Sequence, residues 1–230
     1  MTWPLYIPGW GSDACAFNAV CRQWQGVMCA WWDALGEPPT ALDAMLDQAA
    51  TPPVLVGWSL GGQLALAAAA RKPHAVAGLV LVGTPARFLA DEDHPGADAR
   101  GLRSMRLGVT RDPERVLADF WRRAAAPEAG ETADAWRERA TTGVPRARLA
   151  DGLDHLAETD LRATAAAVTV PAAVIHGRAD AIVPVAAGER LAHAMPAARF
   201  IPLDGGHALP FSHPETIAAA LTEVARDAGA

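Results

Sequence analysis

The residue of this sequence best suited to nucleophilic chemistry is a serine set among glycines. Ser59 lies in the run Gly57-Trp58-Ser59-Leu60-Gly61, which fits the pattern G-x-S-x-G, between an apolar stretch and an alanine-rich stretch. On a tight strand-to-helix turn, such a serine projects above the carboxyl edge of a parallel sheet, where ligands bind. The helix N-terminus that follows favours the negative charge of an oxyanion. The pattern predicts a nucleophile, and an incidental serine in a glycine-rich turn is the alternative.

A serine hydroxyl needs a base to take its proton, and the base needs an acid to orient it. His207, in "LDGGHALPFSHP", follows the last predicted strand, whereas His213 in the same run stands where a helix begins. Asp180, in "IHGRADAIVP", follows the preceding strand, and Asp204 ends the last strand, where it can cap a turn. The sequence favours His207 as the base and Asp180 as the acid, in the chain order Ser59, Asp180, His207.

The oxyanion of a tetrahedral intermediate needs two preorganised N–H donors. One donor is expected to be the backbone N–H of Leu60, directly after Ser59. The other is expected from the loop after the first strand, "IPGWG", where the N–H of Trp10 is the candidate.

Apolar segments alternate with helical ones along most of the chain. Predicted strands cover residues 5–7, 27–31, 54–57, 76–82, 172–175 and 200–203. Predicted helices cover residues 40–50 (with Thr40 as the N-cap), 60–72, 184–194 and 214–228. Strands that are apolar throughout indicate a mostly parallel sheet covered on both faces. His176, directly after the fifth predicted strand, can line either the core or the pocket.

The pattern changes between residues 85 and 160, where helical stretches rich in arginine are broken by glycine and proline. We therefore expect residues 1–84 and 161–230 to form the core, and residues 85–160 to form an inserted helical lid. Residues 86–150 hold 12 arginines and 11 acidic residues, whereas the rest of the chain holds 8 basic and 15 acidic residues. An ordinary solvated face of mixed charge is one interpretation, and docking of an acidic partner is the other. The candidate docking residues are Arg100, Arg103, Arg106, Arg122 and Arg123.

Four motifs, "PGWG", "GWSLGG", "ADAIVP" and "GGHALPFSHP", resemble those of the α/β-hydrolases. In combination they most resemble the pimeloyl-acyl-carrier-protein methyl ester carboxylesterases of biotin synthesis, and the resemblance spans nearly the whole chain. It implies an α/β-hydrolase fold, Ser59 as nucleophile with Asp180 and His207 as its partners, and the backbone of Trp10 and Leu60 as the oxyanion donors.

The same resemblance implies a substrate. The family's reaction cuts the methyl ester of pimeloyl-acyl-carrier protein and releases methanol, and we expect neither a cofactor nor a metal. Trp58 is expected to help shape the acyl pocket, with Trp10 and Leu60 also binding substrate. Phe120, among the apolar residues of the lid, can roof an acyl channel or belong to the lid's own core.

Two features depart from the family's pattern. Its members usually begin with two extra strands, whereas the first strand here stands almost at the start of the chain. They usually have His-Gly where this chain has Pro8-Gly9. We therefore expect a sheet of about six strands, with the strand over residues 27–31 exposed at an edge. The oxyanion hole is expected to survive, because Trp10 keeps its own N–H.

Composition and charge narrow the classes of function. A net charge of −6 and a pI near 5.6 argue against nucleic-acid binding. The sequence has three cysteines without zinc-ligand spacing, no secretory signal and no apolar run long enough to cross a bilayer. These features predict a cytoplasmic protein. We also expect the protein to be a monomer.

Two alternatives to the expected esterase stay open, because fold and triad do not fix a substrate. One is a short-chain carboxylesterase or acyl-thioesterase of other metabolism. The other is a non-catalytic protein that binds a small ligand on the same scaffold. Labelling of Ser59 by a fluorophosphonate probe separates the enzymes from the binding protein.

Overall fold

A parallel sheet of six strands forms the centre of the fold. The computed structural model describes residues 2–38 and 40–229. The strands are β1 (Pro4–Ile7), β2 (Val27–Met28), β3 (Val54–Trp58), β4 (Gly78–Val82), β5 (Ala172–Gly177) and β6 (Ala198–Leu203). Their order is β2-β1-β3-β4-β5-β6, and every neighbouring pair is parallel, with Leu55 opposite both Leu5 and Leu79. The predicted sheet is confirmed.

Helices surround this sheet. They are α1 (Asn18–Cys21), α2 (Trp31–Ala34), α3 (Ala41–Gln48), α4 (Leu60–Arg71), α5 (Ala99–Gly108), α6 (Pro113–Ala125), α7 (Glu131–Thr141), α8 (Leu149–Glu158), α9 (Arg162–Ala165), α10 (Val185–Ala194), α11 (Leu209–Ser212) and α12 (Pro214–Asp227). Every residue of β1, β3, β4 and β5 is buried. Because side chains alternate between the two faces of a strand, both faces of the sheet are covered. Within the described residues, no helix combines the length and apolar character that crossing a membrane requires.

The edge strand is shorter than predicted. It ends at Met28, and a helix begins at Trp31, where the prediction still placed strand. Trp31 is fully buried, and its Nε1 donates a hydrogen bond of 3.0 Å to the backbone carbonyl of Ser12. The indole is thus anchored in the core, and only two residues remain to pair with β1. Val27, 45% exposed, lies on the edge strand as expected.

The predicted N-cap at Thr40 is confirmed. The Thr40 N–H donates to Asp43 Oδ2 at 2.8 Å, and the Asp43 N–H donates to Thr40 Oγ1 at 3.3 Å, which together form a capping box. Arg71, the last residue of α4, donates to Asp43 Oδ1 at 3.0 Å. The start of α3 is thereby tied to the end of α4.

Helices α5 to α9 lie between β4 and β5 along the chain. The two ends of this segment meet, since the Leu161 N–H donates to the Ala86 carbonyl oxygen at 2.9 Å. Beside that bond, the Arg87 guanidinium donates to Asp160 Oδ2 at 3.0 Å. The segment therefore leaves the sheet and returns to it at one point, above the carboxyl ends of β4 and β5.

Candidate active site

Ser59 lies on the turn between β3 and α4, where the backbone is strained. Its φ of 54° and ψ of −117° fall in a region that residues with side chains rarely adopt. Its N–H donates to the Val82 carbonyl oxygen at 2.8 Å. The flanking glycines allow the tight turn, because a Cβ at Gly57 would lie 2.6 Å from the Gly61 carbonyl oxygen, and one at Gly61 would collide with the backbone of Ile7.

Asp180 and His207 form a buried pair on the loops that follow β5 and β6. His207 Nδ1 lies 2.7 Å from Asp180 Oδ2, and both side chains are fully buried. Asp180 Oδ1 accepts the backbone N–H groups of Ile182 and Val183, each at 2.8 Å. A carboxylate facing Nδ1 assigns the imidazole proton to that atom, which leaves Nε2 of His207 as the atom that can accept a proton.

The Nε2 atom of His207 is buried and makes no hydrogen bond to any residue within 2–38 or 40–229. Its hydrogen bond to Ser59 Oγ is therefore not formed in this structure. Such bonds are often long or poorly aligned before substrate binds, and they tighten in the complex. An unpaired buried nitrogen costs free energy, so a hydroxyl brought to Nε2 would be stabilised there.

The ionised form of Asp180 is favoured in spite of its burial. Burial by itself raises the pKa of a carboxyl group, but the charge of His207 and the close approach of both imidazoles, His207 and His176, outweigh it and hold the pKa of Asp180 well below its usual range. The carboxylate can therefore stabilise positive charge on the imidazole of His207.

Gly83, directly after β4, makes room for this pair. Its φ is 53°, and a Cβ there would lie 3.2 Å from His207 Nδ1 and 3.6 Å from Asp180 Oδ2. Its N–H donates to the Ile175 carbonyl oxygen at 2.8 Å, which continues the β4–β5 pairing. A side chain at this position would both strain the backbone and press on the Asp–His pair.

An apolar cavity of about 280 Å³ has Ser59 in its wall. The apolar side chains that line it come from α5, α6, α8 and the loops around them: Trp10, Phe88, Leu102, Met105, Phe120, Leu153, Leu156 and Ile182. Asp98 and Arg123 add one charge of each sign. The cavity suits an aliphatic chain whose reactive end reaches Ser59.

A groove of about 470 Å³ between α5 and α6 adjoins this cavity. The two share Gly101, Met105, Phe120 and Arg123 in their walls. Arg111 and Arg115 also line the groove. Asp112 and Asp119 line it as well, so the groove has charges of both signs and shares one wall with the cavity that holds Ser59.

The two predicted oxyanion donors have free backbone N–H groups. The N–H of Leu60 is the first of α4, and that of Trp10 lies in the turn after β1; neither donates a hydrogen bond within the part of the chain described. The side chain of Trp10 is fixed, because its Nε1 donates to the Leu149 carbonyl oxygen at 2.8 Å. Its ring meets that of Phe120 edge to face, with centroids 4.9 Å apart.

Trp58 and Leu60, predicted to bind substrate, are fully buried and do not line the cavity, whereas Trp10 and Phe120 do. Trp58 instead packs against the histidine loop. Its Nε1 donates to the backbone carbonyl of His207 at 2.9 Å, and the two ring centroids are 5.6 Å apart. Trp58 therefore helps to hold the loop that carries His207, the predicted base.

Three of the predicted docking arginines make no ion pair among the described residues. Arg100 and Arg103 are exposed on α5. Arg123, at the end of α6, donates to the Ala181 carbonyl oxygen at 2.8 Å and lines both cavity and groove. These three leave their positive charge available to a partner.

The other two are paired on the surface. Arg106 Nε lies 2.7 Å from Asp154 Oδ1, and Arg122 Nη1 lies 2.9 Å from Asp119 Oδ1. A partner would have to compete with these carboxylates, so the contribution of Arg106 and Arg122 to docking is expected to be smaller.

Two supporting contacts were missed by the sequence analysis. His176 Nε2 lies 3.3 Å from Asp180 Oδ2, and the indole of Trp58 reaches His207. The sequence does contain a signal for the contact of His176 with Asp180, because His176 stands at the end of the strand whose loop holds Asp180. It contains no signal for the contact of Trp58 with His207, since these two residues are 149 positions apart.

The chain belongs to the α/β-hydrolase family: residues 42–214 match the family described as alpha/beta hydrolase fold. It is 38% identical over 202 residues to the pimeloyl-[acyl-carrier protein] methyl ester esterase of Aromatoleum aromaticum, covering 80% of this chain and 78% of that protein. It is 36% identical over 237 residues to the protein of the same name from Chromobacterium violaceum, covering 95% and 92%.

A solved structure supports the same fold. The esterase EaEST from Exiguobacterium antarcticum matches with a TM-score of 0.83 and 18% identity, covering 97% of this chain and 92% of that one. At this identity the likeness concerns the fold alone.

Proposed function

We propose that this protein is a serine carboxylesterase that hydrolyses the methyl ester of pimeloyl-acyl-carrier protein, a step of biotin synthesis. One observation carries the proposal: a serine on a strained turn faces an apolar cavity, in a chain that also has a buried Asp–His pair on the loops after β5 and β6. The names and the extent of identity of the two curated relatives support the choice of substrate.

The roles follow from the chemistry of each group. Ser59 Oγ attacks the ester carbonyl carbon while its proton passes to Nε2 of His207. The carbonyl oxygen becomes an oxyanion that accepts the N–H groups of Trp10 and Leu60. Asp180 holds the imidazole with Nδ1–H towards it and stabilises the positive charge that His207 then has.

Collapse of the intermediate releases the alcohol. The bond to the methoxy oxygen breaks, His207 gives its proton to that oxygen, and methanol leaves an acyl group on Ser59. A water molecule then attacks the acyl carbon, gives its proton to His207, and the carboxylic acid leaves as Ser59 Oγ takes the proton back. The apolar cavity accommodates the pimeloyl chain during both steps.

The groove between α5 and α6 supports a substrate attached to a carrier protein. The chain of such a substrate must enter from the surface. The groove shares a wall with the cavity and is lined by three arginines, Arg111, Arg115 and Arg123, against two aspartates, Asp112 and Asp119. An acidic carrier would be attracted to this lid by charges that salt screens over about 8 Å at physiological ionic strength. A small free ester needs no such attraction.

The proposal is tested by comparing two substrates. Arg103→Glu and Arg115→Glu reverse exposed charges at the proposed docking face, and Arg22→Glu makes the same change on an exposed residue outside the lid. The two lid variants are expected to lose several-fold in kcat/KM on pimeloyl-acyl-carrier protein methyl ester and to keep hydrolysis of a short nitrophenyl ester. Arg22→Glu is expected to keep both.

The outcomes separate the candidates. An equal loss on both substrates would indicate a damaged lid, and no loss on either would remove the docking role of the lid arginines. Faster hydrolysis of free short esters or of thioesters than of the carrier-bound methyl ester would favour the other hydrolases. Absence of any hydrolysis, together with no fluorophosphonate labelling of Ser59, would favour a ligand-binding protein.

A further inference from the structure

A second imidazole lies against the buried carboxylate. His176, on β5 opposite Pro202 of β6, is fully buried. Its Nε2 atom lies 3.0 Å from the backbone carbonyl oxygen of Val183 and 3.3 Å from Asp180 Oδ2. Nothing in the proposed chemistry uses this histidine as an acid or a base, so its place beside Asp180 needs an explanation.

The surroundings of the ring assign its proton. Nδ1 of His176 is buried without a hydrogen-bond partner among the described residues, and it packs against Gly188 of α10, where a Cβ would collide with it. A proton on Nδ1 would therefore have no acceptor, while the lone pair of Nε2 would face two oxygens. The proton lies on Nε2, which donates to the Val183 carbonyl oxygen, and the partial positive charge of that N–H lies 3.3 Å from Asp180 Oδ2.

These contacts close a ring around the acid loop. The Val183 N–H donates to Asp180 Oδ1, the Val183 carbonyl accepts from His176 Nε2, and the same Nε2 atom lies 3.3 Å from Asp180 Oδ2. An apolar side chain of the same size would fill the space but would leave the Val183 carbonyl without this donor. It would also leave His207 as the one imidazole beside Oδ2.

We infer that His176 is a positioning residue for the proposed Ser–His–Asp chemistry: it holds the Asp180–Val183 loop on β5 and takes a share of the negative charge at Asp180 Oδ2. The inference rests on the proposed function and adds a fourth side chain to it. The neighbours of His176 on β6 and α10, Pro202 and Gly188, bear no charge. The effect of His176 on His207 therefore passes through Asp180.

Two variants test this role on a soluble nitrophenyl ester. His176→Phe keeps the ring volume and removes the donor, whereas His176→Gln keeps an N–H donor at about the position of Nε2. We expect His176→Phe to lower kcat about tenfold with little change in KM, because a misplaced catalytic group costs rate rather than binding. The acid limb of its kcat/KM profile is expected to move to higher pH, because Asp180 without the imidazole of His176 beside it stabilises protonated His207 more strongly. His176→Gln is expected to bring both kcat and the position of the acid limb most of the way back to their wild-type values.

Ile175→Val, one residue earlier on the same strand, is the matched control for a merely structural effect. Neighbouring side chains of a strand point to opposite faces of the sheet, so this change removes buried volume on the face opposite to His176. It is expected to lower the unfolding temperature with an unchanged acid limb. The inference is overturned if His176→Phe loses activity with the wild-type acid limb, or if His176→Gln is no better than His176→Phe.

A second measurement needs no substrate and no activity. The proton between His207 Nδ1 and Asp180 gives a far-downfield NMR resonance that reports this hydrogen bond directly. We expect the resonance to be displaced in His176→Phe and close to its wild-type position in His176→Gln. An unchanged resonance in His176→Phe overturns the inference. If the proposed function fails instead, the wild type will be inactive on the ester, while the resonance will still be displaced in His176→Phe relative to wild type.

Discussion

The indole Nε1 of Trp58 donates a hydrogen bond of 2.9 Å to the backbone carbonyl of His207. Trp58 immediately precedes Ser59, so this single bond joins the residue before the proposed nucleophile to the proposed base. Both side chains are fully buried, and their ring centroids are 5.6 Å apart. The turn after β3 and the loop after β6 are therefore fixed relative to each other by a side chain that does not line the cavity.

Trp58→Phe removes this donor and keeps an aromatic ring. We expect kcat for ester hydrolysis to fall while KM changes little, because the loop that bears His207 is less well held. The loss of one buried hydrogen bond should also cost about 1 kcal/mol of stability. Steady-state kinetics and urea unfolding measure the two effects.

Trp31→Phe is the matched control, because Trp31 is also fully buried and its Nε1 also donates to a backbone carbonyl, that of Ser12. It should lose similar stability and keep kcat. If both variants lose kcat equally, the bond from Trp58 to His207 has no special role in positioning the base.

Replacement of Ser59 separates activity from stability. Ser59→Ala and Ser59→Gly should both abolish ester hydrolysis, because each removes the attacking oxygen. At a φ of 54° glycine is far less strained than alanine, so Ser59→Gly should exceed Ser59→Ala in free energy of unfolding by about 1 kcal/mol. Near-wild-type activity in either variant would mean that another group attacks the ester, and a less stable glycine variant would contradict the strained turn.

Asp180→Asn should keep substrate binding and lose turnover. An amide at this position can donate to Nδ1, which favours the tautomer with its proton on Nε2 and leaves no base for Ser59. The loss of kcat should be large, on the order of 10³–10⁴-fold. A loss that appears mainly in KM would indicate that Asp180 shapes the cavity instead of orienting His207.

His155, on α8, makes the stability of the protein depend on pH. Burial lowers the pKa of His155 to about 4, whereas histidine in an unfolded chain titrates near 6.5. Between these values the unfolded state binds a proton that the folded state does not, so stability falls as the pH drops through this range. His155→Leu should remove roughly 3 kcal/mol of this pH dependence, measured by urea unfolding at several pH values. Equal slopes for variant and wild type between pH 6.5 and 4 would contradict the burial of an uncharged ring.

The sheet was predictable because β1, β3, β4 and β5 are almost entirely apolar, which is the pattern of parallel strands buried on both faces. The end of the edge strand was not predictable, because a tryptophan at position 31 fits a strand and the start of a buried helix equally well. The hydrogen bond from Trp31 to the Ser12 carbonyl accompanies the helix. Positions of the site residues in the chain could be predicted from their places after strands. Contacts such as those of His176 with Asp180 and Trp58 with His207 depend on side-chain packing, which spacing alone does not describe.

The helical segment between β4 and β5 shows the same limit. Its arginines are visible in the sequence, but Arg106 and Arg122 form ion pairs with Asp154 and Asp119, and Arg103 forms none among the described residues. Which charges remain available to a partner depends on how α5, α6 and α8 pack. Composition indicated a segment rich in arginine, and the structure distinguishes the paired arginines from the unpaired ones.

The most direct test is the mass of the carrier protein after incubation with the enzyme. Purified pimeloyl-acyl-carrier protein methyl ester is incubated with wild type or with Ser59→Ala, and the intact carrier is weighed by mass spectrometry while methanol is assayed. We expect wild type to remove one methylene equivalent of mass from the carrier and to release one methanol per carrier, with the pimeloyl chain still attached. Ser59→Ala is expected to leave the mass of the carrier unchanged and to release no methanol. Release of the whole acyl chain, or loss of the methyl group with Ser59→Ala at the wild-type rate, would contradict the proposed function.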